Sequence, residues 1–224
     1  MFNDFIINPK VSKAINEGGS VVALESTLIS HGLPYPENIK VANESIKAVE
    51  ESGSVAATIG VIKGEIKVGL ENEDIEILAT NKNVEKVSLH NIALSIYEKK
   101  NAATTVATTI NIASKIGINF FATGGIGGVH LGVEKNKDVS ADLTELSRNR
   151  IFVISSGAKS ILDLEKTFEK LETFGIPRIA YNSNFMPGFW YEETDYKVDK
   201  NFNNIDDIAN YLRIINNLKH KSSV

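Results

Sequence analysis

Short runs of apolar residues alternate along this chain with longer segments whose apolar residues recur every three or four positions. The clearest long segment is residues 37–52, where the apolar positions on one helical face are Ile39, Ala42, Ile46 and Val49. Short apolar runs are typical of buried strands, and strands that alternate with helices favour a largely parallel sheet. The pattern therefore predicts an α/β sandwich.

The same pattern predicts the boundaries of the individual elements. Strands are predicted at residues 21–24, 57–62, 66–68, 120–122, 151–154 and 178–180. Helices are predicted at residues 37–52, 74–80, 91–99, 105–116, 141–149, 159–174 and 205–218. A hairpin is expected at Lys63-Gly64-Glu65, and this makes the predicted sheet mixed rather than wholly parallel.

Composition limits the size of the fold and the class of partner. The chain has 224 residues, 42% hydrophobic and 23% charged, which suits one domain over residues 1–224 with a sizeable core. A net charge of −4 argues against a general nucleic-acid binder, and no apolar run approaches the ~18 residues of a membrane span. The absence of cysteine and of a signal-like start suits a reducing cytoplasm.

In folds of this class ligands bind at the carboxyl ends of strands, so polar residues that follow a predicted strand are the first candidates for a site. Glu25 directly follows the strand at residues 21–24 and precedes Ser26 and Thr27. A carboxylate at such a position suits general acid–base catalysis. The same residue also suits a helix cap or a salt bridge, and the nearby His31 is more typical of a structural residue.

A glycine loop, residues 123–130, follows the predicted strand at residues 120–122. Four of its residues are glycines: Gly124, Gly125, Gly127 and Gly128. Glycine permits positive φ and a close approach of backbone amides to an anion. The spacing matches neither a Walker loop nor a dinucleotide-binding fingerprint. A tight turn and a ligand-binding loop both stay open, and the stability lost through four glycines favours the ligand loop.

A polar cluster follows the glycine loop at Asp138, Ser140 and Asp142. Ser140 has the position of a helix N-cap, and Asp142 is then an acid in the first turn, where the helix dipole favours it. Asp138 lies eight residues after His130, and a carboxylate with an imidazole and waters suits Mg²⁺ or Mn²⁺. Two residues are a weak metal signal, so spacing alone favours a solvated loop.

Lys159 follows the predicted strand at residues 151–154 and is predicted in the first turn of the next helix. There the helix dipole opposes a positive charge and favours the neutral amine that a nucleophile needs. A lysine that binds a phosphate, or one that extends into solvent, fits the same position. Lys86 carries a weaker signal, as a phosphate contact or a surface charge. Thr104 and Thr105 precede a helix, and they suit either a cap of that helix or hydroxyls offered to a ligand.

Taken in order, these sequences resemble one family. The strings that carry the resemblance are Ala23-Leu24-Glu25-Ser26-Thr27, Ser30-His31-Gly32, Ala57-Thr58-Ile59, Lys67-Val68-Gly69-Leu70, Ala103-Thr104-Thr105-Val106-Ala107, the glycine loop, and residues 138–143, 157–164 and 171–177. Together they resemble the pseudouridine-5′-phosphate glycosidases, also called the indigoidine synthase A-like family. The resemblance covers about residues 8–215, and the combination of motifs is specific although each motif alone is not.

The resemblance implies a three-layer α/β/α sandwich with a mixed, largely parallel sheet, assembled as a homotrimer. The implied reaction is reversible cleavage of the C-glycosidic bond of pseudouridine 5′-phosphate into uracil and ribose 5-phosphate, through a lysine iminium intermediate. The implied cofactor is a divalent metal, Mn²⁺ or alternatively Mg²⁺. The implied partners are these small molecules, with no nucleic acid and no membrane.

By position, the resemblance assigns Glu25 as the proton donor, Lys159 as the covalent nucleophile and Asp138 as the metal ligand. The substrate-binding positions that it implies are Lys86, Val106, Ser140, Ala141 and Asp142. A carbon–carbon glycosidic bond offers an ordinary pair of carboxylates no heteroatom leaving group to protonate. An amine that serves as an electron sink is the alternative that this chemistry favours.

The resemblance also implies a family segment beyond Val224 that this sequence does not contain. Two other functions therefore stay open. One is a non-catalytic remnant of the same fold that binds a sugar phosphate or serves as a scaffold, and the other is a different sugar-phosphate aldolase or lyase that uses the same lysine. The presence of every matched catalytic position favours the glycosidase.

Overall fold

The computed structural model of the chain describes residues 5–224. These residues form two compact units, one that ends at Ala122 and one that begins at Thr123. They are called here the N-terminal unit and the C-terminal unit. Every helix between residues 5 and 224 is too short or too polar to span a bilayer.

Strands and helices alternate in the N-terminal unit, as the apolar pattern predicts. Its strands are β1 (Phe5–Ile7), β2 (Val21–Leu24), β3 (Val55–Ile62), β4 (Glu65–Val68), β5 (Glu85–Val87), β6 (Ala102–Thr104) and β7 (Phe120–Ala122). Its helices are α1 (Pro9–Asn16), α2 (Glu37–Glu51), α3 (Asn72–Thr80), α4 (Ile92–Tyr97) and α5 (Val106–Lys115), with a π-helical turn at Leu28–Gly32.

The sheet of the N-terminal unit is mixed and largely parallel, which confirms the prediction. β2 pairs in parallel with both β3 and β7, as β1 does with β4 and β5 with β6. β3 pairs antiparallel with β4 and with β6. The β3–β4 connection is the predicted hairpin, and both turn residues, Lys63 and Gly64, have the positive φ that a tight hairpin turn of this kind requires.

The long strand β3 pairs with both β2 and β6. Its first half pairs with β2, while Gly60 and Val61 in its second half pair with β6. Residues Ala57 to Ile62 are almost wholly buried, and Val61 packs with Val87 and Ala102 in the core. Burial on both faces of the strand explains why this segment contains no charged residue. The carboxyl end of β2 and the carboxyl end of β6 are therefore both attached to one rigid strand.

The C-terminal unit has shorter strands and more irregular backbone. Its elements are α6 (Val133–Asn136), α7 (Ala141–Arg148), β8 (Phe152–Ile154), α8 (Leu164–Thr173), β9 (Ile179–Tyr181), β10 (Lys200–Phe202) and α9 (Ile205–Asn217). β9 and β10 form a parallel pair. At the last residues, the Val153 N–H donates to the Val224 carbonyl at 2.9 Å, so Val224 lies beside β8. Loops held by side chains, rather than a wide sheet, carry most of the predicted site residues here.

Candidate active site

Glu25 directly follows β2 and is half-buried. The next residue, Ser26, is fully buried, and its Oγ donates to the Ile59 carbonyl at 2.6 Å. The Thr104 N–H donates to the same Ser26 Oγ at 2.9 Å, and Thr104 Oγ1 donates to the Ile59 carbonyl at 2.7 Å. This buried hydroxyl pair ties the end of β2 to β3 and β6. The backbone that carries Glu25 is therefore anchored on both sides.

Lys86 and Val106 lie next to β6, the strand that the hydroxyl pair ties to the end of β2. Lys86 is exposed in the middle of β5, which pairs with β6. Val106 is buried and begins α5 directly after Thr105, whose side chain caps that helix, which is one of the two roles that the sequence left open for it. Thr27 Oγ1 donates to the Thr104 carbonyl at 2.8 Å, which joins the segment after Glu25 to the segment before Val106. The structure thus brings the three predicted positions of the N-terminal unit onto linked segments.

The glycines of the glycine loop are required by close packing. A Cβ on Gly127 would overlap the Ser140 hydroxyl and would lie 2.7 Å from Asp142 Oδ2, and a Cβ on Gly128 would overlap Thr167. The positive-φ glycines between residues 5 and 224 include none of the four in this loop. The expectation that these glycines supply positive φ is therefore wrong. Their backbone approaches other protein groups so closely that no side chain fits.

Two buried side chains hold the backbone of the glycine loop. Asp142 Oδ2 accepts the Gly127 N–H at 2.7 Å, and Thr167 Oγ1 accepts the Val129 N–H at 3.0 Å. Asp142 is 6% exposed and Thr167 is fully buried. A hydrogen bond from an amide to a buried carboxylate is stronger than one between neutral groups. The Gly127 amide is thus already engaged by the protein.

Ser140 and Ala141 form the beginning of α7. The Ser140 hydroxyl accepts the Asp142 N–H at 3.2 Å, which confirms the predicted N-cap, and the Ser140 N–H donates to the Gly128 carbonyl at 2.9 Å. Ala141, the first helical residue, is exposed. The predicted substrate-binding string therefore contacts the glycine loop directly through its backbone and side chains.

Asp138 is exposed and lies beside His130. The His130 N–H donates to the Asp138 carbonyl at 3.0 Å, and His130 Nδ1 is 3.9 Å from Asp138 Oδ2. Within residues 5–224, no three or more His, Asp or Glu side chains are grouped so as to hold a metal ion. A single exposed carboxylate fits a hard cation that retains most of its water, as Mg²⁺ commonly does. The donor set is thus compatible with a hydrated cation rather than with a closed protein cage.

Lys159 does not lie in the first turn of a helix, so that prediction is wrong. α8 begins at Leu164, and Asp163 caps it by accepting the Lys166 N–H at 3.1 Å. The Lys159 N–H instead donates to the Ile126 carbonyl of the glycine loop at 3.0 Å, and the Lys159 carbonyl accepts the Leu162 N–H at 3.0 Å in a turn. A residue this far before the first turn is outside the range of the helix dipole. The half-buried Lys159 is positioned by the glycine loop and not by a helix terminus.

A charged cluster joins α6 to the beginning of α8. Lys166 Nζ lies 2.6 Å from Asp163 Oδ2 and 2.7 Å from Glu134 Oε1. Hydrogen bonds to Asp163 and then to Glu134 raise the pKa of Lys166 above its usual range. The hydrogen bond from Lys166 holds the pKa of Glu134 and that of Asp163 below their ordinary values. The cluster fixes one end of the segment that contains Asp138.

Sequence reasoning missed the residues that support the site. Ser26, Thr104 and Thr167 are buried, and each of them forms a hydrogen bond with a residue 33 or more positions away in the sequence. No local pattern identifies such partners. The spacing of Asp163 and Lys166 was the one available signal, because residues three apart are neighbours at the start of a helix.

An α/β fold with polar groups gathered at strand ends and in a glycine-rich loop defines a class of ligand-binding proteins. A family model described as "Indigoidine synthase A like protein" matches residues 10–224. The chain therefore belongs to the indigoidine synthase A-like family, as its motifs indicate. The fold predicted from the sequence, an α/β sandwich with a mixed and largely parallel sheet, is confirmed.

Two relatives illustrate the level of similarity. The chain is 50% identical over 206 residues to a pseudouridine-5′-phosphate glycosidase of Brachyspira hyodysenteriae, a match that covers 92% of this chain and 67% of the relative. It is 51% identical over 189 residues to a protein of the same name from Staphylococcus aureus, covering 84% of this chain and 62% of that one. The matched region thus spans about two thirds of the length of these relatives.

Two solved structures have the same fold. The prealnumycin C-glycosynthase AlnA, determined in complex with ribulose 5-phosphate, superimposes with a TM-score of 0.92 at 35% identity, over 100% of this chain and 72% of AlnA. An indigoidine synthase A-like protein from Thermotoga maritima superimposes with a TM-score of 0.89 at 36% identity, over 100% of this chain and 73% of that protein.

Proposed function

We propose that this chain cleaves the C-glycosidic bond of pseudouridine 5′-phosphate reversibly, giving uracil and ribose 5-phosphate. The observation that carries the proposal is the 50% identity, over 92% of the chain, to a protein named for this activity. A structural relative that binds ribulose 5-phosphate supports a sugar phosphate as the ligand. Glu25 directly follows β2, and Lys159 lies in the segment between β8 and α8. The family resemblance assigns the proton donor and the nucleophile to these two positions.

The carbon–carbon bond decides which chemistry these residues perform. Lys159 attacks C1′ of the ribose while Glu25 gives its proton to the departing ring oxygen, and the sugar opens. The lone pair of the Lys159 nitrogen then expels the base, whose C5 takes up a proton, and leaves an iminium on the sugar. Water hydrolyses the iminium and returns free Lys159 and ribose 5-phosphate. The reverse sequence joins the base to the sugar.

The remaining predicted positions bind the substrate in this proposal. Lys86 supplies an exposed cation for the phosphate, near the buried Val106 at the beginning of α5. Ser140, Ala141 and Asp142 bind at the beginning of α7, where the glycine loop already contacts Ser140 and Asp142. A cation opposite a phosphate and a helix start near an anion both favour a phosphorylated ligand.

The proposed cofactor is Mn²⁺, with Mg²⁺ as the alternative, held by Asp138. The exposed carboxylate beside His130 fits a hard, largely hydrated divalent cation. When bound, such an ion would supply positive charge that orders water and neighbouring acidic groups. The charged cluster at Lys166 keeps the loop that contains Asp138 attached to α8, which favours a defined place for that carboxylate.

Assembly as a homotrimer and a cytoplasmic location complete the proposal, and both rest on the family resemblance. The absence of cysteine is compatible with a reducing compartment. Light scattering of the purified protein tests the assembly, since a trimer of the 24.5 kDa chain is readily distinguished from a monomer.

The experiment that tests the reaction combines product release with covalent trapping. The purified protein is incubated with pseudouridine 5′-phosphate and Mn²⁺, uracil is quantified by chromatography, and borohydride is added with ribose 5-phosphate in a parallel reaction. We expect uracil release and a stable mass increase on the peptide that contains Lys159. Lys159→Arg keeps the charge but cannot form an iminium, so it should lose both signals, while the control Lys170→Arg should keep both. Activity in Lys159→Arg would exclude the amine mechanism.

A further inference from the structure

The segment at residues 187–190 lies against the loop that leads to Lys159. The Phe189 N–H donates to the Ser156 carbonyl at 2.9 Å, and Gly188 forms an antiparallel bridge with Gly157. A Cβ on Gly157 would overlap the Pro187 carbonyl oxygen, so the two backbones are in direct contact. This segment is far from Lys159 in sequence, and nothing in its local pattern points to the site.

Phe189 adopts a backbone conformation that disfavours a bulky residue. Its φ is +64°, in the left-handed region that glycine or asparagine usually occupies. A conformation of this kind costs free energy and persists only where the surrounding contacts hold it, often at functional sites. Phe189 is half-buried, and its ring is packed edge-on against Trp190, which is itself 78% exposed. Phe189 therefore does not serve to fill the hydrophobic core.

The ring of Phe189 instead covers the glycine loop. A Cβ on Gly125 would lie 2.5 Å from Phe189 Cδ2 and 2.8 Å from Cε2, so the ring rests directly on the backbone of that glycine. Only glycine, which has no Cβ, permits the Phe189 ring to approach the backbone of residue 125 this closely. Phe189 thus contacts the glycine loop through its ring and the loop before Lys159 through its backbone.

These two loops share a ladder of backbone hydrogen bonds that ends at Lys159. The Ser156 N–H donates to the Gly124 carbonyl at 3.2 Å, the Ile126 N–H to the Gly157 carbonyl at 3.0 Å, and the Lys159 N–H to the Ile126 carbonyl at 3.0 Å. Lys159 is not in a helix, so this ladder holds its N–H, while its carbonyl accepts the Leu162 N–H at 3.0 Å in a turn. Phe189 closes the other end of the ladder, where it bonds to Ser156.

We propose that Phe189 is a positioning residue for Lys159. The inference rests on the proposed function, in which the Lys159 amine must reach C1′ of the sugar. The ring of Phe189 clamps the glycine loop while its N–H clamps Ser156, and the ladder between them sets where Lys159 stands. A displacement of the reacting groups by about 1 Å lowers the rate by about 10²-fold, so releasing this clamp should lower kcat with little effect on substrate binding.

The experiment compares Phe189→Gly with Phe189→Tyr and with Phe174→Ala. Phe189→Gly removes the ring and tolerates the positive φ, Phe189→Tyr keeps the ring, and Phe174→Ala removes an aromatic side chain from the end of α8. For Phe189→Gly we expect kcat and the rate of the borohydride-trapped adduct to fall about 10²-fold, with KM within about 3-fold of the parent. Phe189→Tyr and Phe174→Ala should retain the parent kcat. If Phe189→Gly does not fold, Gly125→Ala tests the same contact from the other side and should give the same separation of kcat from KM.

Amide hydrogen exchange gives a readout that does not depend on activity. Exchange at Ile126 and Lys159 should accelerate in Phe189→Gly and stay at the parent rate in Phe174→Ala. Unchanged exchange, or an unchanged kcat in an active parent, overturns the inference and leaves the proposed function intact. If the parent itself neither releases uracil nor forms an adduct, the proposed function fails. In that case faster exchange in Phe189→Gly alone still supports Phe189 as the residue that holds the Lys159 backbone.

Discussion

Asp142 Oδ2 accepts the backbone N–H of Gly127 at 2.7 Å, and both residues are buried. The bond joins the first turn of α7 to the middle of the glycine loop, which in turn carries the backbone bond to Lys159. A carboxylate that the family resemblance assigns to substrate binding is thus also a structural support of the loop. Replacing the Asp142 side chain therefore tests how much this hydrogen bond stabilises the glycine loop.

Asp142→Ala should lower the free energy of unfolding by about 2 kcal/mol, because a hydrogen bond to a charged group is lost and the Gly127 amide is left buried without its acceptor. Denaturant unfolding measures the change. Asp206→Ala is the matched control, since Asp206 also occupies the first turn of a helix and also donates its N–H to a cap residue, but is exposed. Equal losses in the two variants would contradict a special role for Asp142.

Ser26→Ala should destabilise the protein by about 1–3 kcal/mol, because the buried Thr104 N–H loses its acceptor and the Ile59 carbonyl loses a donor. Ser52→Ala removes a hydroxyl that donates to a backbone carbonyl at an exposed position, so its effect should be near zero. Thermal and denaturant unfolding of both variants test the difference. If Ser26→Ala is as stable as Ser52→Ala, the hydroxyl pair does not anchor the end of β2.

Glu25→Gln should lower turnover of pseudouridine 5′-phosphate by at least about 10²-fold with little change in KM, because the amide cannot donate the proton that opens the ribose. The measurement is steady-state uracil release. Glu17→Gln, an exposed glutamate after α1, is the control and should behave as the parent. Parent-like turnover in Glu25→Gln would remove Glu25 from the proton-donor role.

Asp138→Ala should abolish stimulation by added Mn²⁺, because the carboxylate that fits a hard cation is gone. Binding of Mn²⁺ alone, followed by electron paramagnetic resonance, gives a readout without turnover. The exposed Asp195→Ala is the control and should bind Mn²⁺ as the parent does. Retention of Mn²⁺ binding by Asp138→Ala would assign the cation to other ligands.

Lys166→Met should flatten the acid side of the pH–stability profile. The pKa values of Glu134 and Asp163 are lowered in the folded protein, so their stabilising effect is present above their unfolded values and is lost as pH falls through the folded ones. The melting temperatures of parent and variant should therefore differ at neutral pH and converge as the pH falls below the ordinary titration range of carboxylates. The control is Lys170→Met, which removes a lysine that lies over the Phe174 ring. Its pH–stability profile should run parallel to that of the parent. A constant difference in melting temperature between the parent and Lys166→Met at every pH would contradict the coupling of Lys166 to Glu134 and Asp163.

Local pattern was sufficient for the elements whose periodicity is strong. The predicted helix at residues 37–52 is α2 (Glu37–Glu51), and the strands predicted at residues 21–24 and 120–122 are β2 and β7 with the same bounds. The hairpin at Lys63 and Gly64 was also predictable, because turn chemistry is a local property. The strands β5 and β6 were missed because β5 contains the charged Glu85 and Lys86 and β6 has no large apolar side chain, whereas the equally short β7 contains two phenylalanines.

The sequence by itself determined the class of fold and the order in which the polar residues follow the strands, because these depend on neighbours only a few positions apart. Only the tertiary structure decided what those residues contact. The glycine loop needs its glycines because Ser140 and Thr167 pack against it, and Lys159 lies outside a helix because Asp163 caps α8 and Ile126 accepts the Lys159 N–H. Partners separated by tens of residues meet only when the chain packs, so no periodicity in the sequence encodes them.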